Sequence, residues 1–199
     1  MARLVAKSLS IPYVDSGSMY RCVALAALRR GIPLDSCPEL EAIARDIKMR
    51  YSPDGSRLYL NEEEVTEIIR EQKIGSAAST ASRCPELRKV LVELQRRLAQ
   101  NGAVMEGRDI GSVVLPQATI KVYLDASVEV RVRRRVGDLE KRGTPQSAAF
   151  VEEEMRKRDA SDMGRKEAPL IRLPEALYLD STKMSAEETA EEILKRLKG

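Results

Sequence analysis

The chain has 199 residues, of which 43% are hydrophobic and 33% are charged. This composition is typical of a globular domain with its own core and argues against disorder. No apolar run approaches the ~20 residues of a membrane span, and the first ten residues lack the apolar core of a signal peptide. We therefore expect a cytoplasmic protein with no membrane partner.

The residue types that the chain lacks exclude several kinds of site. It has no histidine, which excludes Ser-His-Asp and Cys-His nucleophile systems and His-ligated zinc. The three cysteines, Cys22, Cys37 and Cys84, form no Cys-x-x-Cys pair, so we expect reduced thiols, at least two of them packing residues. The net charge is only +3, with one Phe and no Trp. This balance argues against nucleic acid as a partner.

The first third of the chain predicts a helix, a strand and two further helices. Residues 2–9 are typical of the end of a helix, and residues 11–15 form a short apolar strand that ends on a carboxylate. Ser18 is a candidate cap for a helix that runs through Arg30, and the glycine that follows stops it. Residues 38–48 predict the next helix.

The segment from Ile47 to Val65 has a different pattern. Alternating residues at 47–51 and 57–60 flank a Ser-Pro-Asp-Gly turn and predict a β-hairpin, and Asn61-Glu62 can turn the chain into a further short strand. The polar residues 66–83 are helical or turn-like. We predict a small β-rich insert within a larger fold.

The rest of the chain alternates apolar strands with helices. The predicted strands are 103–105, 119–124 and 176–179, and the predicted helices are 85–101, 127–141, 151–158 and a C-terminal helix opened by a capping box at Ser185–Glu188. Four strands that alternate with helices predict an α/β fold with a parallel sheet flanked by helices. In such folds ligands bind at the carboxyl ends of the strands.

Polar residues follow these strands and form two candidate sites. Ser16 and Arg21 lie where a strand joins a helix start, which favours an anion; the alternative is an ordinary cap beside a surface arginine. Arg108 and Asp109 lie between glycines after a later strand. Asp can accept from a cytosine amino group and Arg can hold a phosphate; the alternative is a structural ion pair.

Two helical arrays of charge are further candidates. Arg158, Asp162 and Arg165 share one face if their helix continues to Arg165, which suits a sugar hydroxyl or a phosphate; the alternative is a solvated face. Arg131, Arg134 and Arg135 repel one another on one face, which suggests an anionic partner rather than a generic basic helix. Ser79, nine residues before Arg88, is the weakest signal.

Six motifs, taken in order, resemble the cytidylate kinase family over essentially the whole chain. The motifs are Asp15–Arg21, Gly107–Gly111, Val114–Pro116, Lys121–Ala126, Ala168–Leu170 and Leu179–Thr182. The resemblance implies phosphoryl transfer from ATP to CMP or dCMP with Mg²⁺, and we expect a monomer. It also implies a core at 1–36, 88–126 and 166–199, an NMP-binding insert at 37–87 and a helical lid at 127–165.

The resemblance implies a role for each candidate residue. Ser16, Arg21 and Arg108 match residues that position CMP and its phosphate, whereas Ser79, Arg88 and Asp109 match the cytosine pocket, with Arg165 beside it. Arg158 and Asp162 match contacts to the ribose hydroxyls and the phosphate region. Arg131, Arg134 and Arg158 are the predicted catalytic residues, and no protein residue is predicted to bind a metal.

One part of the family pattern is absent from the sequence. The family begins with a central strand and a Gly-x-x-x-x-Gly-Lys-[Ser/Thr] loop that cradles phosphates, and the 199 residues contain no such loop. We expect a truncated enzyme, with in-frame codons for that loop upstream of Met1, and the alternative is an inactive CMP-binding homologue. In both cases we expect CMP binding, weak ATP binding and negligible turnover from residues 1–199. A basic nucleic-acid-binding module is the remaining alternative.

Overall fold

A computed structural model describes residues 1–52, 55–165 and 168–198. The chain divides into two compact units, Met1–Pro116 and Gln117–Gly199. The predicted alternation of helices with short strands is confirmed in both units. Within the ranges described, no helix is long and apolar enough to cross a membrane.

The described residues of the first unit form five α-helices and five strands. The helices are α1 (Ala2–Leu9), α2 (Ser16–Arg29), α3 (Cys37–Asp46), α4 (Gln72–Ala81) and α5 (Pro85–Leu98). The strands are β1 (Tyr13–Asp15), β2 (Met49–Tyr51), β3 (Leu58–Leu60), β4 (Glu63–Glu64) and β5 (Val104–Glu106). A 3₁₀ turn at Ile68–Arg70 precedes α4, and a short π-helix at Ile110–Val114 follows β5.

One apolar core holds the first unit together. Met19 and Val23 of α2, Leu40 of α3, and Leu87 and Leu91 of α5 are all completely buried in it. They recur at helical spacing, so each helix turns one apolar face inward. Burial of each such side chain contributes about 1.5–3 kcal/mol, which fixes the helices that carry the candidate residues.

The predicted β-hairpin is confirmed, and it forms part of a three-stranded antiparallel sheet. Met49 pairs with Leu60 and Tyr51 with Leu58, and β4 then pairs with β3. Asn61 and Glu62 both have positive φ, which is the backbone of the tight turn that joins two antiparallel strands. Leu58 and Leu60 point into the core, so the sheet packs on the helices of the first unit. Pro53 and Asp54 of the predicted turn lie outside the described residues.

The start of α2 differs from the sequence prediction. The helix begins at Ser16, and its cap is Asp15, whose carboxylate accepts from the Ser18 amide at 3.1 Å. Ser18 was expected to be the cap, but it lies one turn inside the helix. Asp15 is also the last residue of β1, which pairs in parallel with β5 in the register Asp15↔Glu106. The strand therefore passes into the helix with no intervening loop.

The expectation of three reduced thiols is wrong. Cys37 and Cys84 form a disulfide across 47 residues of sequence, with their Cα atoms 5.2 Å apart, within the usual range for such a bond. The two cysteines are distant in sequence, but they lie at the starts of α3 and α5, which pack against each other. Cys22 is a free, buried thiol, as expected of a packing residue.

In the second unit, the part of the chain that the structure describes forms two strands and three helices. These are β6 (Val122–Asp125), α6 (Val128–Lys141), α7 (Ala148–Met163), β7 (Leu177–Asp180) and α8 (Ala186–Lys198). Val132, Leu139 and Val151 form a small core between α6 and α7. The predicted capping box is confirmed, because the Ser185 hydroxyl accepts from the Glu188 amide at 3.0 Å and Glu188 accepts from the Ser185 amide at 2.8 Å.

The predicted parallel strands flanked by helices are confirmed, but in the residues that the structure describes they do not all pair in one sheet. β6 pairs with β7 in parallel, with Asp125 opposite Asp180, and β1 pairs with β5. Among the described residues these are two separate parallel pairs. Each pair belongs to a different compact unit, and a π-helix and a loop separate β5 from β6 along the chain.

Candidate active site

A buried ion pair is the strongest candidate feature of the first unit. Arg88 Nη2 donates to Asp109 Oδ2 at 2.5 Å, and the two side chains are 9% and 10% exposed. Arg88 lies in the first turns of α5, and Asp109 precedes the π-helix. The Tyr20 ring lies 5.9 Å from the guanidinium carbon. The sequence motif therefore corresponds to a preorganised, largely desolvated pair of charges.

The β1–α2 junction lies against the end of β5. Ser16 is buried, and its hydroxyl donates to the Glu106 carbonyl at 2.7 Å. Gly107 makes this close approach possible, because a Cβ atom there would lie 2.2 Å from Ser16 Oγ and 2.8 Å from Ile110 Cδ1. Ser16 is thus held at the carboxyl edge of the parallel strand pair, the edge where ligands of α/β proteins bind.

Arg21, Arg108 and Ser79 complete the predicted residues of this unit. Arg21 Nη1 donates to the Ile69 carbonyl at 2.7 Å, so the guanidinium rests beside the insert. Arg108 is exposed next to buried Asp109, and Ser79 is half-buried on α4. The structure brings Arg88 and Asp109 into contact, and it supports Ser16 and Arg21 through backbone carbonyls.

Two titratable groups at this edge were not singled out from the sequence. The Tyr13 hydroxyl donates to Glu106 in a very short hydrogen bond. Burial raises the pKa of Glu106, the Tyr13 hydrogen bond opposes this rise and the Asp15 charge adds to it. Burial and the Glu106 and Asp15 charges raise the pKa of Tyr13 above its usual range. No sequence signal pointed to this contact, because Tyr13 begins β1, Glu106 ends β5 and the pairing of these two strands was not predicted.

In the second unit, the carboxylate of Asp162 is bound by arginine. Asp162 is 1% exposed, Arg165 Nη2 donates to its Oδ1 at 2.5 Å, and Arg158 Nε lies 3.8 Å from its Oδ2. The condition for a shared helical face is not met at Arg165, because α7 stops at Met163 with Gly164 as its cap. Arg165 nevertheless contacts Asp162, so the three side chains lie together although the helix ends before Arg165.

The arginines of α6 point in several directions. Arg131 Nη1 donates to Asp159 of α7 at 2.6 Å. Arg134 donates to the Ser181 hydroxyl at 3.2 Å and to the carbonyls of Ser181 and Met184 at 2.7 and 3.0 Å. Burial and the nearby Arg142 lower the pKa of Arg135. Arg131 and Arg134 thus anchor α6 to its neighbours in this conformation.

Comparison with known proteins assigns the family. The family model "Cytidylate kinase" matches residues 1–199. The chain belongs to the cytidylate kinase family. A cytidylate kinase of Symbiobacterium thermophilum is 43% identical over 98% of this chain and 88% of that protein. Cytidylate kinases of Caldanaerobacter subterraneus subsp. tengcongensis and Pelotomaculum thermopropionicum are 42% and 41% identical, over 88% and 89% of their own lengths.

Membership in the cytidylate kinase family identifies the chain as a nucleoside monophosphate kinase, and the family implies phosphorylation of CMP by ATP. The site residues assigned by resemblance divide between the two units. Ser16, Arg21, Ser79, Arg88, Arg108 and Asp109 lie in the first unit, and Arg131, Arg134, Arg158, Asp162 and Arg165 lie in the second. The roles of the individual residues remain predictions.

Proposed function

We propose that the first unit recognises CMP or dCMP as the phosphoryl acceptor, and that the enzyme transfers the γ-phosphoryl group of ATP to it, which gives CDP or dCDP. The buried Arg88–Asp109 pair carries this proposal. Removing two charges from water is costly, so a pair at the ligand-binding edge of a sheet is well suited to reading a polar base.

The geometry of the pair fits cytosine better than uracil. Arg88 engages Asp109 Oδ2, and the lone pairs of Oδ1 can accept from the 4-amino group of cytosine. Uracil presents a carbonyl oxygen at that position, so the same carboxylate would face an acceptor. A buried polar group left without a donor costs about 1–3 kcal/mol. Arg88 and Asp109 therefore select the base, and Ser79 supports the same pocket.

We assign the binding of the acceptor phosphate to the start of α2. Ser16 lies at the first helical position and Arg21 lies one and a half turns further on. The amides of a helix start favour an anion, and the guanidiniums of Arg21 and Arg108 can hold a phosphate through paired donors. This arrangement positions the nucleophilic phosphate oxygen, which is the main task of a phosphoryl-transfer enzyme.

The second unit supplies charge for the remaining groups. From the family resemblance we assign Arg158 and Asp162 to the ribose hydroxyls and the phosphate region, and Arg165 to the nucleotide; Arg158 and Arg165 both form ion pairs with Asp162. Arg131, Arg134 and Arg158 are the proposed catalytic residues, because guanidiniums can stabilise the charge on a transferring phosphoryl group. Arg131 and Arg134 now donate to Asp159 and Ser181, so their use on ATP requires exchange of these partners.

The family resemblance also implies Mg²⁺. In the part of the chain that the structure describes, no group of three or more Asp, Glu or Cys side chains could hold a metal ion. These residues do not form a protein metal site, and we assign no step of the reaction to a metal.

A nucleotide panel tests the proposal. Calorimetric titration of the 199-residue chain with CMP, dCMP, UMP, AMP and dTMP should show specific binding of the two cytidine nucleotides. A coupled assay with ATP then measures ADP formation on the same panel. Binding of AMP or dTMP as tight as that of CMP would contradict the assignment, and so would measurable turnover of AMP or dTMP at the rate found for CMP.

The same experiment separates the alternatives. CMP binding with negligible turnover is the expected result for residues 1–199, and it also fits an inactive CMP-binding homologue. Rapid formation of CDP would overturn the expectation of low turnover. Retention on single-stranded DNA at moderate salt, without nucleotide-specific binding, would instead favour the nucleic-acid module.

A further inference from the structure

A tyrosine of the β-rich insert contacts the start of α2. Tyr51, the last residue of β2, places its hydroxyl 2.8 Å from the Asp15 carbonyl and 2.7 Å from the Ser18 hydroxyl. The Ser18 hydroxyl itself donates to the Asp15 carbonyl at 2.7 Å. The two hydroxyls and the carbonyl form a closed triangle that bridges the insert and the β1–α2 junction.

Two residues of the triangle, Asp15 and Ser18, lie on either side of Ser16 in the sequence. Asp15 precedes Ser16, and Ser18 follows it by two residues, so the hydrogen bonds fix the backbone on both sides of Ser16. The Ser16 side chain is fixed separately by its bond to the Glu106 carbonyl. Tyr51 thus acts on the position of Ser16 without touching the groups that we assign to the substrate.

The insert contacts α2 at a second point. The carbonyl of Ile69, in the 3₁₀ turn of the insert, accepts from Arg21. The Tyr51 contact flanks Ser16 and the Ile69 contact is made by Arg21, and these are the two α2 residues proposed to hold the acceptor phosphate. The Arg88–Asp109 pair lies elsewhere, on α5 and after β5. The insert therefore contacts the residues proposed for the phosphate of CMP more directly than those proposed for its base.

The Tyr51 hydroxyl stays protonated in this environment. Burial raises its pKa, the Ser18 hydrogen bond opposes the rise and the Asp15 charge adds to it. The group is thus available as a donor at neutral pH. Tyr59, which lies opposite Arg50 on the neighbouring strand, stacks under that arginine at 4.2 Å. It offers a matched tyrosine in the same sheet.

We propose that Tyr51 is a positioning residue that couples the insert to the β1–α2 junction and so sets Ser16 for the acceptor phosphate. This inference rests on the proposed function. It extends that function by assigning to the insert a role in orienting the phosphate end of CMP, carried by one hydroxyl group.

The test is calorimetric titration of the full 199-residue chain with CMP and with cytidine, which lacks the phosphate. Tyr51→Phe keeps the ring and removes the hydroxyl. We expect it to weaken CMP binding about three- to tenfold, the effect of one net hydrogen bond, and to leave cytidine binding within about twofold, since Arg88 and Asp109 are unchanged. Tyr59→Phe should leave both affinities within the same limit.

The outcomes separate this inference from the proposed function. Unchanged CMP affinity in Tyr51→Phe would overturn the inference. Equal loss of CMP and cytidine affinity would also overturn it, because that pattern indicates a general loss of structure. Failure of the unsubstituted chain to bind CMP would overturn the proposed function itself, and this inference with it.

Discussion

Arg88 of the first unit differs in its environment from Arg131 and Arg158 of the second unit. In the first unit Arg88 and Asp109 are each about nine-tenths buried beneath a continuous apolar core. In the second unit Arg131 and Arg158 remain 31% and 47% exposed, beside a much smaller core. Buried charges are fixed before the ligand arrives, whereas exposed ones can change partners. The first arrangement suits recognition of a base, and the second suits charge that must follow a reacting phosphate.

The largest expected effect comes from removing one arginine from each unit. Arg88→Met leaves the Asp109 carboxylate buried without its partner, so we expect a loss of about 3–5 kcal/mol in the free energy of unfolding. Arg158→Met removes a half-exposed contact, and Arg165 still binds Asp162. Its expected cost is below about 1 kcal/mol. Urea unfolding of both variants measures the two losses in the free energy of unfolding. Similar losses would contradict the different environments of Arg88 and Arg158.

The disulfide is expected to stabilise only the first unit. Cys37–Cys84 closes a loop that spans 47 residues of sequence, so reduction should cost about 2–4 kcal/mol, mainly by freeing the unfolded chain. Thermal unfolding with and without reductant measures the change, and Cys37→Ser should be insensitive to reductant.

Thiol titration in denaturant provides the control for the disulfide. One thiol, that of Cys22, should react before reduction and three afterwards. In the native protein Cys22 should stay unreactive, because burial, with the Asp15 charge, raises its pKa to about 12. Three reactive thiols without reductant would contradict the bond.

Two glycine substitutions, one in each unit, should have smaller effects on stability and of opposite sign. Gly107→Ala would push a methyl group into Ser16 and Ile110, at an expected cost of about 1–3 kcal/mol, with weaker CMP binding. Gly137, inside α6 of the second unit, has no atom within 4 Å of its Cβ position. Gly137→Ala should therefore stabilise by about 0.5–1 kcal/mol through helix propensity. Unfolding midpoints check the two opposite signs.

The smallest expected effect is a difference in pH dependence. Because the pKa of Glu106 is raised by burial, its contribution is fully present below the unfolded pKa of about 4.3 and is lost as pH rises through the folded value. Glu129, in the second unit, has its pKa lowered by backbone and Ser127 hydrogen bonds. Its contribution is present above about pH 4.3 and is lost as pH falls.

Glu106→Gln and Glu129→Gln test these signs. Relative to the unsubstituted chain, the melting temperature of Glu106→Gln should rise with increasing pH, and that of Glu129→Gln should fall. The comparison is made between about pH 4 and 7, around the ordinary carboxyl pKa. The same trend in both variants would contradict the assigned environments.

Local patterns predicted much of the fold. The capping box at Ser185 and Glu188 and the hairpin of β2 and β3 are set by residues close in sequence, and the structure confirms both. The separation of the strands into two parallel pairs was not predictable, because strand alternation indicates that strands are parallel but not which edges meet. The helix cap is Asp15 and not the predicted Ser18, because β1 ends at Asp15 and α2 begins at the next residue.

The site residues were predictable to a different extent. Charge spacing and the family resemblance placed Arg88, Asp109 and Asp162 among the candidates, and the structure adds that all three are buried. Tyr51 and the Cys37–Cys84 bond were missed because they join segments 36 and 47 residues apart. Such contacts depend on how the insert packs on α2 and how α3 packs on α5, which no local pattern encodes.

The most direct test of the central claim is the preference of the chain for CMP over UMP, measured by calorimetric titration before and after Asp109→Asn. The substitution keeps the shape of the side chain but replaces one acceptor oxygen of the buried pair with a donor. We predict that binding discriminates between the two nucleotides in the unsubstituted chain, and that the variant loses about 1–3 kcal/mol of that discrimination, the value of one good base contact. An unchanged preference for CMP in the variant would contradict base recognition by the Arg88–Asp109 pair.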